Sequence, residues 1–381
     1  MTSKERILSV LNGIIPDRVP VSLYKIDPFD ENSFWAKHES FKNLLEVAKK
    51  IQDTFHFYRP KTGFFFSSPD SVDVKVEEFQ DTRISKKIKL TVETELGPLT
   101  RIARQTLVSS FEWVEKPWVE NHHDIEKFLT LPYTPFKPDI SDFYKIQANL
   151  GDRGIMVVAL PDPVGVCGTL FAPGTLSHYL SEYPSLIYRL VENFYIRLKD
   201  LYTFISQNIE GAIIRIRGAE FLTPPTLPAE YHDVKALFND LIIKYDRVLI
   251  EILKMGRKNY ISYHWHDNIS ELLPQVLKMG PDIIEPVCNS IEKPNLILRI
   301  KRMVGESVVI MGGLTADVLE FRSREEVNSM VKEAILQGAR RGRFLLIPSG
   351  VPTSAPLSPN LEENYIEFLQ AGYNYGKYPL G

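Results

Sequence analysis

The 381-residue sequence lacks most of the features that mark secreted, membrane-bound or nucleic-acid-binding proteins. Its only two cysteines, Cys167 and Cys288, are far apart, which argues against a disulfide framework and favours a reducing cytoplasm. No apolar run approaches the roughly 20 residues that a membrane span requires. A formal net charge of -3 gives no sign of a polyanion-binding surface. We therefore expect a cytoplasmic protein with no membrane and no nucleic-acid partner.

The order of predicted elements is that of a parallel α/β fold. Amphipathic helices are predicted at 229–254, 269–279, 295–304 and 324–337, and most of them are followed by a glycine and a short apolar strand. Such alternation is typical of βαβ units. With the strands of the first half, the candidate strands are 18–24, 53–57, 154–160, 211–218, 260–266, 282–287, 307–313 and 343–350.

Eight parallel strands are the number that closes a (β/α)8 TIM barrel, and this is the predicted fold. The start of the chain, "MTSKERILSVLNG", predicts an additional N-terminal helix that begins with a Thr2-x-x-Glu5 capping box. Residues 73–104 alternate polar and apolar around Gly97-Pro98, which predicts an antiparallel β excursion from the barrel. Because no Ser/Gly-rich linker interrupts the chain, residues 1–381 are expected to form a single domain.

The carboxyl ends of barrel strands converge on one rim, so polar residues there are candidate site residues. His264 and His266 follow "YISY" and, being two apart in a strand, share a face. Glu220 and Glu285 follow neighbouring strands. Two imidazoles and one or two carboxylates suit a divalent ion such as zinc with an open position. The alternatives are a histidine bonded to a loop carbonyl, and glutamates that serve as ion-pair partners or helix caps.

Two arginines lie within an apolar strand, "IIRIR". Buried Arg215 and Arg217 need an anion, which can be a carboxylate side chain or the acid group of a substrate. An ion pair with a barrel glutamate is the more ordinary explanation, and it stays open beside substrate binding.

Several segments, read together, resemble the uroporphyrinogen decarboxylase superfamily. They are "KERILSVLNGIIPDRVPV", "TELGPL", "EYPSLIYRLVENF", "YHWHDNISELLPQVLKMGPDIIEPV", "VVIMGGL" and "FLLIPSGVPTSAP". Their order covers nearly the whole chain, and the resemblance implies a (β/α)8 barrel with its cleft at the carboxyl ends of the strands.

The sequence departs from the true decarboxylases of this superfamily. Their arginine-containing segment after the first strand corresponds to "YKIDPFD" here, with Lys25 where the first arginine would fall. A histidine of their final loop corresponds to Ser349. Tyr179, in "APGTLSHYL", matches a family tyrosine. The resemblance therefore does not imply decarboxylation of uroporphyrinogen by this chain.

The chain is more similar to the zinc-dependent, corrinoid-linked methyltransferase branch. Those enzymes bind zinc through His-x-Cys after the same strand and through a cysteine of the final loop. Here His264 matches the histidine, His266 takes the place of the first cysteine, and Ser349 that of the last. Such a site is harder than a thiolate site, so it would suit an oxygen ligand better than a thiol.

The resemblance implies metal-assisted methyl transfer from a small methylated substrate to a corrinoid protein. The alternatives are a decarboxylase of a tetrapyrrole or small acid that relies on fixed charge, and a non-catalytic barrel that binds a corrinoid or another ligand. A homodimer is a further expectation. The candidate residues are Glu220 and Tyr179 for catalysis, Lys25, Arg217 and Ser349 for substrate binding, and His264, His266 and Glu285 for zinc.

Overall fold

The chain folds around a curled sheet of seven parallel strands. A computed structural model describes residues 1–222, 233–266 and 269–380. Strand order follows chain order, apart from an inserted second sheet. The parallel strands are β1 (Thr54–Tyr58), β6 (Gly154–Pro161), β7 (Ile213–Arg217), β8 (Tyr260–His264), β9 (Ile283–Glu285), β10 (Val309–Gly312) and β11 (Phe344–Leu346).

Helices connect the strands, and the helices predicted at 269–279, 295–304 and 324–337 agree with the predicted spans to within a residue. The described α-helices are α1 (Ser3–Leu11), α2 (Lys42–Ile51), α3 (His122–Leu129), α4 (Ser141–Leu150), α5 (Pro163–Gly168), α6 (Leu176–Glu182), α7 (Pro184–Asn208), α8 (Val234–Phe238), α9 (Lys244–Met255), α10 (Ile269–Met279), α11 (Leu296–Val304), α12 (Ala316–Phe321), α13 (Arg324–Gly338) and α14 (Pro359–Tyr375). The single helix predicted at 229–254 is interrupted by a π-helical turn, Asn239–Ile243, and its first residues, 229–232, lie outside the described residues. No helix in the described ranges is long and apolar enough to cross a membrane.

The expected first strand, 18–24, is not a regular strand. It makes one parallel bridge, between Val21 and Leu346, with Ser22 N donating to Leu346 O and Leu346 N donating to Pro20 O. On its other side Val21 contacts both the backbone and the side chain of Asp53, since Asp53 N donates to Val21 O at 2.8 Å and Val21 N donates to Asp53 Oδ2 at 3.0 Å. Pro20 has no N–H to add to a ladder. A regular eighth strand is therefore absent from this segment.

The sheet's inner face changes character along the strands. Near the amino ends it carries Phe55, Ile155 and Ile213, which pack with Ile7 and Val10 of α1 in one buried cluster. Helix α1 therefore covers the amino-terminal end of this face. Since alternate strand residues share a face, the same face continues toward the carboxyl ends with Arg215, Ser262, His264 and Glu285.

The predicted β excursion forms a second, antiparallel sheet and extends beyond 104. Its strands are β2 (Val74–Thr82), β3 (Ser85–Val92), β4 (Leu99–Thr106) and β5 (Glu112–Lys116), paired in that order. Val92 and Leu99 are buried against the rest of the chain. After β4, Ser110 N donates to Thr353 O at 2.8 Å, so this excursion lies beside the loop that follows β11.

Asp53 is expected to be a main determinant of stability. Its fully buried carboxylate accepts hydrogen bonds from Arg6 Nη1 and Arg18 Nη1, each at 2.6 Å, and thereby ties α1 and the 18–24 segment to the start of β1. Asp53→Asn removes the charge but keeps the shape, and leaves two nearly buried guanidinium groups undercompensated. The free energy of unfolding, measured in urea, should fall by about 3 kcal/mol.

The matched control is Asp73→Asn, at an exposed position. This substitution should change the free energy of unfolding by less than about 0.5 kcal/mol. Equal urea midpoints for the two variants would show that Asp53 does not hold the amino-terminal segments.

Candidate functional site

A polar cluster lies on the inner face of the sheet at the carboxyl halves of β7, β8 and β9. Arg215 is level with Ser262 on the next strand, and His264 is level with Glu285 on the strand after that. All four side chains are buried. Two of the predicted site residues, His264 and Glu285, are thus brought together, with Arg215 between them.

Arg215 and Glu285 form an ion pair in which each side chain is only 2% exposed. Arg215 Nε donates to Glu285 Oε1 at 2.7 Å, and Ser262 Oγ donates to the same oxygen at 3.0 Å. Burial acts to raise the pKa of Glu285, but the charge of Arg215 and the hydrogen bonds outweigh it and lower the pKa to about 2. Glu285 is therefore an anion at neutral pH, as expected for the partner of a buried arginine.

His264 contacts the same guanidinium. Arg215 Nη2 lies 2.5 Å from His264 Nδ1, and because a guanidinium only donates, Nδ1 is the acceptor. Burial, followed by the positive charge of Arg215, lowers the pKa of His264 to about 3. The imidazole is thus neutral at physiological pH, and its proton is assigned to Nε2.

Tyr24 completes the shell around the guanidinium. Arg215 Nη2 donates to the hydroxyl of Tyr24, whose ring also lies 5.6 Å from the guanidinium carbon. Burial raises the pKa of Tyr24, which keeps the hydroxyl neutral. The backbone of Tyr24 has a φ of 41°, an uncommon conformation for a bulky residue. Such backbone outliers are often found at functional sites.

The cluster does not have the arrangement of a metal site. His264 Nδ1 and Glu285 Oε1 are both occupied by Arg215, and Glu285 Oε2, which has no hydrogen-bond donor among the described residues, lies 3.9 Å from Nδ1. A guanidinium in contact with both side chains repels a divalent cation. Across the described residues, no group of three His, Cys, Asp or Glu side chains could hold a metal ion. These residues therefore do not fit the expected zinc site at His264, His266 and Glu285.

His266 faces a neighbouring cleft. Its ring is perpendicular to that of His264, with 4.6 Å between the centroids, and the residue is exposed. It lines a cleft of about 660 Å³ together with Cys288 and Ser349. The Ser349 hydroxyl accepts from Ala316 N at 3.0 Å, at the start of α12. The expected neighbours His266 and Ser349 thus share one cleft, where Ser349 has a helix-capping contact.

Glu220 and Arg217 form a second ion pair, nearer the carboxyl end of β7 than the pair of Arg215 and Glu285. Arg217 Nη2 donates to Glu220 Oε1 at 3.0 Å, and Gly218 N donates to Oε2 at 2.8 Å. Burial acts to raise the pKa of Glu220, but the neighbouring His264 and Arg217, together with hydrogen bonds to the carboxylate, lower it. Glu220 is thus an anion that orients Arg217.

Lys25 lies beside these groups, with its Nζ 5.4 Å from the centre of the Tyr24 ring. Burial, and then repulsion by Arg215, Arg217 and Arg59, lowers the pKa of Lys25 to about 8. An ammonium with this pKa can release a proton near neutral pH, which an ordinary lysine does not.

Tyr179 lies elsewhere. It belongs to α6, and its ring packs 5.1 Å from Phe171 and 6.3 Å from Tyr183. Burial, then the charge of Asp124, raises its pKa. None of the contacts described for Tyr179 connects it to the Arg215 cluster.

Sequence reasoning missed two members of the site, Tyr24 and Arg59. Tyr24 precedes Lys25, but its backbone turns it onto Arg215 in a way that no spacing shows. Arg59 directly follows β1, so the rule that strand-end polar residues converge would have found it, had the strand predicted at 53–57 been extended by one residue.

Comparison with known proteins identifies the fold. A methyltransferase from Methanosarcina mazei superposes with a TM-score of 0.56 and 13% identity, over 98% of this chain and 98% of its own. A B12-independent methionine synthase from Shewanella sp. W3-18-1 has a TM-score of 0.37 and 15% identity, over 80% and 76%. No family profile and no curated protein matches the sequence. At this identity, the first likeness shows that the two chains share a fold.

The depressed pKa of His264 predicts acid sensitivity. The ordinary pKa is 6.5 and the folded value about 3, so the unfolded chain binds more protons below pH 6.5, and stability is lost as pH falls. From about pH 6.5 to about pH 5 this one group should cost about 2 kcal/mol of unfolding free energy. His264→Asn keeps an acceptor for Arg215 and should remove that component of the pH dependence in urea titrations.

His178→Asn, at an exposed histidine, should leave the slope unchanged. If His264→Asn and the wild type lose stability in parallel over this range, His264 is not held neutral.

The metal content should not depend on His264. Protein purified without added metal, then incubated with zinc and desalted, should retain the same zinc in wild type and His264→Ala, by elemental analysis. One zinc per chain that is lost in the variant would contradict the geometry of Arg215 and restore the zinc site.

Proposed function

We propose that this chain is a barrel enzyme that transfers a methyl group from a small, negatively charged methylated substrate. The observation that carries the proposal is the charged cluster at the carboxyl ends of β7–β9, beside which Lys25 and Arg217 present positive charge. The fold shared with the Methanosarcina mazei methyltransferase supports the reaction class. The proposal includes closure of the sheet into a (β/α)8 barrel, supported by the hydrogen bonds of Val21 and its neighbours to Leu346 and Asp53.

In this proposal the residues act through charge and proton transfer. Arg217, oriented by Glu220, binds the acid group of the substrate. Lys25 gives a proton to the oxygen or nitrogen from which the methyl group departs, so that the leaving group does not depart as an anion. Arg215 holds the neutral His264 in place at the carboxyl end of β8. A corrinoid on a partner protein would supply the methyl acceptor. That element rests on the sequence resemblance alone, as does any role for Tyr179. A cytoplasmic location rests on the two widely separated cysteines of the sequence.

The proposed general acid makes the rate depend on pH in a defined direction. Since only protonated Lys25 can donate, the methyl-transfer rate should fall as pH rises through about 8. Lys25→Met should lower kcat by about a hundredfold or more and abolish this basic limb. The assay follows methyl transfer to added cob(I)alamin from a set of methoxy- and N-methyl-carboxylic acids.

Lys61→Met, at an exposed lysine, is the control and should retain the wild-type profile. No transfer from any of these acids, with wild-type protein that is folded by circular dichroism, would reject the proposal.

Decarboxylation of a small or tetrapyrrole acid is the second candidate. It is favoured by the same positive charges, because fixed cations can bind a carboxylate and stabilise developing negative charge without a metal. Release of carbon dioxide from uroporphyrinogen, or from one of the test acids, in place of methyl transfer would support it.

A further inference from the structure

A second cleft, of about 330 Å³, opens between the carboxyl ends of β1, β6 and β7. Arg59 follows β1 directly, Arg217 is the last residue of β7, and Pro161 ends the strand between them. Both arginines line this cleft. Because β6 pairs with β1 on one side and with β7 on the other, the two arginines flank one strand end.

The two arginines have more positive charge around them than their carboxylate partners neutralise. Within the described ranges, Arg59 has no hydrogen bond or ion pair, and repulsion by Arg217 and Arg215 adds to burial in lowering its pKa. Among the described residues, Arg217 forms an ion pair with Glu220, and its charge also acts on the buried carboxyl of Asp162. Counting Lys25 and the Arg215–Glu285 pair, four cations face the carboxylates of Glu220 and Glu285 and the buried carboxyl of Asp162, whose pKa is raised by burial so that it carries less negative charge. An anion from outside the chain would relieve this repulsion.

The remaining wall of the cleft is largely apolar. Phe66, Leu160, Leu201 and Phe221 line it, together with the hydroxyl-bearing Thr62 and Thr169. Gly168 makes room for one of these side chains, since a Cβ at this position would lie 2.4 Å from the Phe221 ring. The cleft thus combines cations at one edge with an apolar, aromatic surface.

We propose that this cleft binds an organic carboxylate, with the acid group between Arg59 and Arg217 and the hydrocarbon part against Phe66 and Phe221. Guanidinium groups bind carboxylates through paired, charge-assisted hydrogen bonds. The inference rests on the proposed function, because it names the substrate class of that site. It adds Arg59 and the apolar wall as the specificity determinants.

Phosphate is the other oxyanion that two arginines can hold, and the apolar wall distinguishes the two. A carboxylate on an aromatic body can bury its ring against Phe66 and Phe221, whereas inorganic phosphate gains nothing from that surface. The preference between the two anions is therefore measurable.

The test is isothermal titration calorimetry with benzoate, benzyl alcohol and inorganic phosphate. Benzoate should bind to the wild type more tightly than either of the other two. Arg59→Gln and Arg217→Gln should each weaken benzoate binding by about tenfold or more, because each removes a charge-assisted hydrogen bond. Gly168→Ala, which displaces the Phe221 ring, should weaken benzoate binding without affecting phosphate.

Arg83→Gln, at an exposed turn remote from the cleft, is the matched control and should bind benzoate like the wild type. Circular dichroism melting of every variant establishes that it is folded. Phosphate binding tighter than benzoate, or benzoate binding unchanged in folded Arg59→Gln, would overturn the inference.

Calorimetry needs no turnover, so this inference and the proposed reaction fail separately. Benzoate binding that depends on Arg59, without methyl transfer, keeps the carboxylate cleft and rejects the reaction. Methyl transfer without benzoate binding rejects the cleft alone.

Discussion

The buried ion pair of Arg215 and Glu285 is the interaction on which the site depends. Two charges that are each 2% exposed have lost nearly all of their hydration, and their mutual attraction offsets that cost only when the remaining donors and acceptors are also satisfied. Ser262 supplies a donor to Glu285, and Tyr24 and His264 supply acceptors to Arg215. The identity of each neighbour follows from this requirement.

The ion pair also sets the charge of the groups around it. Burial, and then the guanidinium 2.5 Å from Nδ1, lower the pKa of His264 and keep it neutral, so this histidine is a poor candidate for a proton donor at physiological pH. Burial, and then the same positive charge, lower the pKa of Lys25 to about 8, which makes the lysine the better proton donor. We therefore expect Lys25 to act as the proton donor, while the buried pair of Arg215 and Glu285 provides fixed charge beside it.

Most elements of the parallel sheet were predictable from sequence, because their apolar periodicity reflects burial that each strand and helix needs for itself. Strand β6 and helices α11 and α13 lie within a residue of the predicted spans. The 18–24 segment was less predictable, since the side chain of the distant Asp53 takes the place of a backbone acceptor for Val21 N. One uninterrupted helix was predicted at 229–254 because an apolar stripe alone does not distinguish an α-helical from a π-helical turn. The structure has a π-helical turn there.

By itself, the sequence determined the class of fold and the presence of charged residues at strand ends, because periodicity and strand-end position are local properties. The sequence also predicted that Arg215 needs an anion, since a charge in an apolar strand must be neutralised wherever it lies. Only the tertiary structure decided which groups meet. It brought Glu285 and His264 into contact with Arg215, and it placed Arg59 and Arg217 in one cleft. Distances between residues far apart in the chain depend on how the sheet curls, and no local pattern encodes that curvature.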